Sequence, residues 1–385
     1  MPRLATRTHD FLTFHAVELF KQGQALQAAG KDIISLGIGE PDFTAPPQVV
    51  EALERAARAG LSGYSPPAGL TPLREAIAQF YHDKFGATIN PARVIVTAGA
   101  SGALTLACAA LVNNGGEVLM PDPSYPANSN FVLAAGGVPR LIPSSAQKRF
   151  QLSAQDVAQH WGPATQGVMV ASPSNPTGTS IAPGELADLL GEVRARGGFA
   201  IVDEIYLGLS YEGEPRSALT LDDDVIVINS FSKYFHMTGW RLGWMIVPED
   251  MVAPVEKIAA SLQICAPTLA QHGALACFTE QAMKTFEHRR EAFKQRRDYL
   301  LPEFERLGIQ VPVKPDGFYI YADISNLGMD SGTFSQRLLL EAGVAAVPGL
   351  DFGPAHGGHT MRFSYATGLD RLEEAVARMG KWLQR

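Results

Sequence analysis

Seven short apolar runs recur through the middle of the chain: RVIVT (93–97), EVLM (117–120), VPRLI (138–142), GVMVA (167–171), FAIVD (199–203), VIVIN (225–229) and LGWMIV (242–247). Val, Ile and Met in near-continuous runs predict strands buried on both faces, hence an α/β fold with a largely parallel sheet covered by helices. Between the fourth and fifth runs, Leu186, Leu189, Leu190 and Val193 recur at helical spacing, and Gly197 and Gly198 close the segment. That pattern predicts the crossover helix of a βαβ unit. The last run follows its predecessor after only about a dozen residues, too few for a full crossover, so an antiparallel strand is expected there.

Beyond these runs, EHRREAFKQRRDYLLPEF (287–304) predicts a long charged helix leading out of a large domain at about residues 45–290. The remainder holds the strand-like GFYIYADI (317–324) and TMRFSYA (360–366), then a helix with Leu372, Val376, Met379 and Leu383 on one face. Residues 291–385 with 1–44 are therefore expected to form a smaller α+β domain carrying an N-terminal segment.

Composition narrows the function classes. With 32 basic and 39 acidic residues the chain is mildly negative and has no basic block, so nucleic acid is not an expected partner. No apolar run approaches the roughly 20 residues of a membrane span, and His9, Asp10, His15 and Glu18 interrupt the N-terminus where a signal peptide would be apolar. Cys108, Cys265 and Cys277 are few and widely spaced, which suits reduced thiols in a cytoplasmic protein. His356 and His359 have a ligand-like spacing, but with glycines between them and no acidic or sulfur partner nearby they read as a loop rather than a metal site.

Ligands of open parallel sheets bind at the carboxyl ends of the strands, so the residues just after each run are the candidates. After RVIVT comes a glycine-bearing turn into a helix with Ala100 and Ser101, whose free N–H groups suit a phosphate. The chain lacks a P-loop, and GIGEPDF (37–43) lacks the third glycine of a dinucleotide fingerprint, which disfavours ATP and NAD. Other run ends supply Tyr125, Asn175, Asp203, Tyr206, Ser230, Ser232 and Lys233, with Arg241 further on. Each alone is ordinary turn or capping chemistry. Together they meet the needs of pyridoxal 5'-phosphate: an amine for the aldehyde, a carboxylate for the pyridine nitrogen, donors for the phenolic oxygen, and hydroxyls and an arginine for the phosphate.

The stretch S-F-S-K-x-x-x-M-T-G-W-R-L-G (230–243) resembles the lysine motif of class I aminotransferases, which are fold-type I pyridoxal phosphate enzymes. GEPDF (39–43), YSPPAGLTPLREAIA (64–78), TAGASGAL (97–104), SNPTG (174–178), DEIY (203–206) and RFSYA (362–366) resemble the same family in order and spacing. The resemblance implies a large domain with a mostly parallel seven-stranded sheet and a smaller domain. It implies that Lys233 forms the internal Schiff base and later acts as base, that Asp203 pairs with the pyridine nitrogen, and that Asn175 and Tyr206 bond the phenolic oxygen. Tyr125 is implied to stack on the ring, and Ala100, Ser101, Ser230, Ser232 and Arg241 to hold the phosphate. Tyr64 is implied to reach the phosphate of a neighbouring subunit in a homodimer, and Arg362, helped by Asn175 and the Gly39 backbone, to grip the substrate carboxylate.

The expected activity is amino transfer from an L-amino acid to a 2-oxo acid. A carbon–sulfur β-lyase on the same fold is the alternative, and a cofactor-sensing regulatory module is a remote one, because only about 30 residues precede ISLGIGEPDF. His236 stands where the family usually has a small residue, and is expected to point away from the chemistry. Side-chain selection is expected from residues 11–19 and a partner subunit, with a broad or neutral donor preferred.

Overall fold

All seven apolar runs are strands of one sheet in the structure, a computed structural model that describes residues 3–12 and 14–384. Met1, Pro2 and Thr13, which fall in the N-terminal segment, and Arg385 at the end of the expected smaller domain lie outside the described residues. The strands are β1 (Val94–Thr97), β2 (Glu117–Asp122), β3 (Val138–Pro143), β4 (Thr165–Ala171), β5 (Phe199–Asp203), β6 (Ile226–Ser230) and β7 (Gly243–Ile246). Their order across the sheet is β1-β7-β6-β5-β4-β2-β3. β7 runs antiparallel to both neighbours, as its short connection requires, and the remaining pairs are parallel. Six strands therefore deliver their carboxyl ends to a single edge.

Neighbouring residues of each strand enter opposite cores. Val96, Val168, Val170, Val202 and Val227 face one core, which also receives Leu186, Leu189, Leu190 and Val193 of the crossover helix Pro183–Ala195. Ile95, Met169, Ile201 and Ile228 face the other, with Leu104, Ala107 and Cys108 of the helix Gly99–Leu111. Each large aliphatic side chain so removed from water contributes about 1.5–3 kcal/mol. The strand at 138–143 departs from the expected two-sided burial: it is the sheet edge, Val138 is exposed, and only Ile142 is buried.

A second, three-stranded antiparallel sheet has the order β9-β10-β8, from β8 (Tyr319–Asp323), β9 (Val347–Pro348) and β10 (Thr360–Ser364). Beside it Ile34–Ser35 pairs in parallel with Val344–Ala345, bringing the early chain to the late one. The long helix Glu280–Arg306, capped by the Thr279 side chain, packs Phe286 against Phe235 near the large sheet and Phe304 against Phe363 of β10. Arg297, fully buried on it, donates to the Pro315 carbonyl and to Glu212 and Asp298. In the last helix, Leu369–Leu383, the buried face is Leu372, Ala375, Val376, Met379 and Trp382, with Leu383 at its margin. Among the described residues no helix is long and apolar enough to cross a membrane.

Candidate active site

The loop after β6 is shaped by two serines. Ser230 Oγ donates to the Leu242 carbonyl at 3.0 Å and contacts Ser232 Oγ at 2.9 Å, while the Ser232 N–H donates to Ser230 Oγ at 3.1 Å. This tight turn presents Lys233 toward the early chain, where its Nζ donates to the Gly39 carbonyl at 2.6 Å. Burial holds the Lys233 ammonium below its usual range, and the nearby Arg362 and Arg241 cations add to the effect. Its amine is thereby closer to a working base than an exposed lysine.

One strand over, Asp203 ends β5 and its Oδ1 accepts the Ile205 N–H at 3.0 Å. Burial raises its carboxyl to about 6, against the opposing pull of that hydrogen bond and of Lys233. The neighbouring Glu204 turns away into the core, where Ser217 and the Ala218 N–H donate to it. Only Asp203 of this acidic pair faces the cavity.

Arg362 on β10 is held on three sides. Its Nη1 donates to Asn175 Oδ1 at 3.0 Å and its Nη2 to the Gly37 carbonyl at 2.7 Å, and its guanidinium lies 4.3 Å from the Tyr319 ring centroid and 4.9 Å from that of Phe352. Its Nε is buried without a partner. A desolvated, unpaired guanidinium donor in a fixed fork is suited to a carboxylate.

Opposite lies the start of the helix Gly99–Leu111. Gly99 adopts φ +76°, and a Cβ there would sit 2.6 Å from Arg241 Nη2. A Cβ on Gly243 would sit 2.7 Å from the Gly99 carbonyl carbon, so glycines let β7 and Arg241 close onto the helix start. Helix N–H groups, two hydroxyls and a guanidinium thus meet on one side of the cavity, a set of donors whose chemistry suits a phosphate dianion.

These groups line one cavity of about 490 Å³. Of the residues expected from the sequence, Gly39, Ala100, Ser101, Tyr125, Asn175, Asp203, Tyr206, Ser230, Ser232, Lys233, Arg241 and Arg362 are in its wall. Tyr64 is not; it is 83% exposed elsewhere on the chain. Tyr319, Asp351 and Phe352 also line the cavity and were not foreseen. Tyr319, the second aromatic of GFYIYADI, was visible only as strand filling, yet the Tyr206 hydroxyl donates to its hydroxyl at 3.3 Å. Phe14, Ala16 and Val17 bring in the N-terminal segment, of which Thr13 is outside the described residues.

His236 points away from the cavity. Its ring lies among those of Phe43, Phe286 and Phe293, with centroids at 5.5, 5.8 and 6.1 Å, and neither ring nitrogen has a hydrogen-bond partner. Burial, then the Arg289 and Arg296 charges, hold its pKa down at about 3, so it is neutral.

The sequence and the structure match known proteins. A family model described as aminotransferase class I and II matches residues 31–379. The valine–pyruvate aminotransferase of Mycobacterium tuberculosis is 39% identical over 96% of this chain and 96% of its own. A crystal structure of an aminotransferase from Mycobacterium tuberculosis superposes with a TM-score of 0.96 at 37% identity, covering 100% of both chains. The aspartate aminotransferase from Thermus thermophilus with maleate gives 0.92 at 33% identity, covering 99% of this chain and 100% of that one. The chain belongs to the class I and II aminotransferases, has their fold-type I architecture, and is an enzyme whose family uses pyridoxal phosphate.

Proposed function

We propose that the protein moves the amino group of a neutral L-amino acid to a 2-oxo acid in two half-reactions, with pyridoxal phosphate carried on Lys233. The observation that carries this reading is that Lys233, Asp203 and Arg362 face one cavity, Arg362 with an unpartnered buried Nε. The cofactor, when bound, supplies a carbonyl that captures amines and a ring that accepts the electron pair released at Cα.

The chain's own groups divide the remaining work. The Gly99–Leu111 helix start, Ser230, Ser232 and Arg241 hold the phosphate. Asp203 as carboxylate keeps the pyridine nitrogen protonated, and Asn175 and Tyr206 orient the phenolic oxygen. Arg362 fixes the substrate carboxylate, which directs the Cα–H toward the Lys233 amine. That amine, its basicity lowered by burial, would take the proton from the substrate Cα and hold it for redelivery within the cavity.

The cations lining the cavity among the described residues are Lys233, Arg241 and Arg362. All three have tasks in this scheme, which leaves none of this chain's own for a second substrate carboxylate and favours a neutral donor with a small acceptor such as pyruvate. The name of the relative from Mycobacterium tuberculosis, a valine–pyruvate aminotransferase, supports this. We read residues 45–290 as the large cofactor-binding domain and 1–44 with 291–385 as the small one. The exposure of Tyr64 supports its reaching the phosphate of a second subunit in a homodimer. Three free cysteines support a cytoplasmic location.

A panel of amino acids with pyruvate and 2-oxoglutarate, followed by the cofactor absorbance, tests the proposal. Conversion of the cofactor band by neutral donors and its recovery on adding the oxo acid are expected. Stoichiometric pyruvate and ammonia from a sulfur amino acid with no acceptor present would instead establish the lyase.

A further inference from the structure

The N-terminal helix His15–Ala28 lies beside the cavity mouth but buries only Gly23 fully, with Leu19 and Leu26 half-buried against Ile33 and Leu339. Apolar packing alone therefore holds it weakly. Asp351 provides the attachment: Oδ1 accepts the His15 N–H and His15 Nδ1, both at 2.7 Å, and Oδ2 accepts the Ala16 N–H at 2.8 Å. The carboxylate side chain is 1% exposed and sits where the helix dipole favours a negative charge. Three residues before the helix, the Leu12 N–H donates to Asn130 Oδ1 at 3.0 Å and Asn130 Nδ2 to the Leu12 carbonyl at 3.3 Å.

The segment is thus tied to the large sheet's side through Asn130 and to the loop after β9 through Asp351. That loop is itself fastened to the large sheet. The Ser124 N–H donates to the Phe352 carbonyl at 2.9 Å, the Ala355 N–H to Asp122 at 3.1 Å, and His356 Nε2 to the Ser144 carbonyl at 2.7 Å. Phe14, between the two ties, and Val17, just past them, line the cavity and an adjoining hollow of about 300 Å³, whose walls include Ile38 and Val347 and which reaches Arg362.

We propose that Asp351 is a positioning residue: by holding the first turn of this helix it sets Phe14 and Val17 as the wall of an apolar side-chain subsite for neutral aliphatic amino donors. The proposal rests on the transamination reading and specifies its substrate class. Arg362 is gripped at the α-carboxylate end, and the hollow beyond it is walled by carbon. A second substrate carboxylate would meet no cation of this chain there, among the described residues, beyond Arg362 itself. A lost methylene contact in such a pocket changes specificity by about 10–200-fold.

The test uses the holoenzyme with Asp351→Ala, Asp351→Asn and Phe14→Ala. For Asp351→Ala, kcat/KM for leucine is expected to fall about tenfold or more through KM, with alanine changed less than about threefold and the cofactor retained. Asp351→Asn, which keeps an acceptor, should recover part of the loss, and Phe14→Ala should reproduce the leucine-selective effect. Equal losses on both donors, or no loss in either Asp351 variant, would overturn the proposal; if Asp351→Ala does not fold, Asp351→Asn and Phe14→Ala decide it. Hydrogen exchange of residues 15–20 is expected to accelerate in Asp351→Asn, and unchanged exchange would also overturn it. Should the wild type convert no amino acid, the transamination reading fails, while the exchange measurement still judges the tether.

Discussion

The Lys233 amine and the Gly39 carbonyl meet at 2.6 Å although 194 residues separate them in sequence. The contact joins the edge of the large sheet to the early chain that the second sheet carries. A lysine so desolvated, with a carbonyl as its only hydrogen-bond partner among the described contacts, is poised to lose its proton. Lys233→Ala is expected to lower transamination by at least about 10³-fold while the phosphate contacts still retain the cofactor. Borohydride reduction followed by peptide mass mapping checks it: the wild type should carry the cofactor on the peptide containing Lys233 and the variant on none.

Asp203→Asn preserves the acceptor for the Ile205 N–H and removes the charge. A fall in kcat of about 10²–10⁴-fold is expected with the cofactor still bound. An acid raised from 3.8 to about 6 in the fold costs stability as pH rises between those values, and a cation placed beside it offsets that cost. Cofactor binding to the wild type should therefore strengthen as pH rises through about 6, and binding to the variant should not. Titrations at a series of pH values distinguish the two profiles.

Gly99→Ala places a methyl group against Arg241 in backbone of φ +76°. The conformational penalty is about 1 kcal/mol, and displacement of Arg241 adds a weaker phosphate grip, so the cofactor Kd should rise about tenfold. Gly60→Ala is the control: φ is +74° with nothing within 4 Å of the new Cβ. It should cost stability and leave the Kd unchanged.

His236→Phe addresses a buried group outside the cavity wall. A histidine whose folded pKa of about 3 lies below the ordinary 6.5 contributes fully above pH 6.5 and destabilises the fold as pH falls toward 3. Its ring faces Phe43, Phe286 and Phe293 with Arg289 and Arg296 beyond, Arg296 paired to Asp42, so no carboxylate receives the proton directly. By pH 5 the loss is about 2 kcal/mol. Urea unfolding at pH 7 and pH 5 should show that difference reduced by this amount in the variant.

Much of the large sheet was legible because its strands are covered on both faces. Ile95, Met169, Ile201 and Ile228 had to be apolar for one core and their neighbours for the other, so each strand announces itself. The chain length between β6 and β7 carried the antiparallel turn for a simple reason of reach. β3 was misjudged in its burial because an edge strand and a central one can share a composition. Tyr319, Asp351 and Phe352 were illegible for a different reason. They enter the cavity from the second sheet and its loops, and nothing local marks a strand tyrosine or a loop aspartate as facing a cavity built largely by residues of the large sheet far away in the chain. His236 shows the converse: its neighbours in sequence reach the chemistry, while a φ of +53° sends it into the aromatic packing of the long helix.

β10 is the central strand of the small sheet, and it arrives with residues 360–364 of a 385-residue chain. Through Arg362 it closes contacts with Asn175 and Gly37 that span 187 and 325 residues. A chain growing from its N-terminus can thus complete the large sheet, and with it Lys233 and the proposed phosphate cradle, well before Arg362, the proposed carboxylate grip, has been synthesised. Nascent protein would acquire the means to hold a cofactor before the means to choose a substrate.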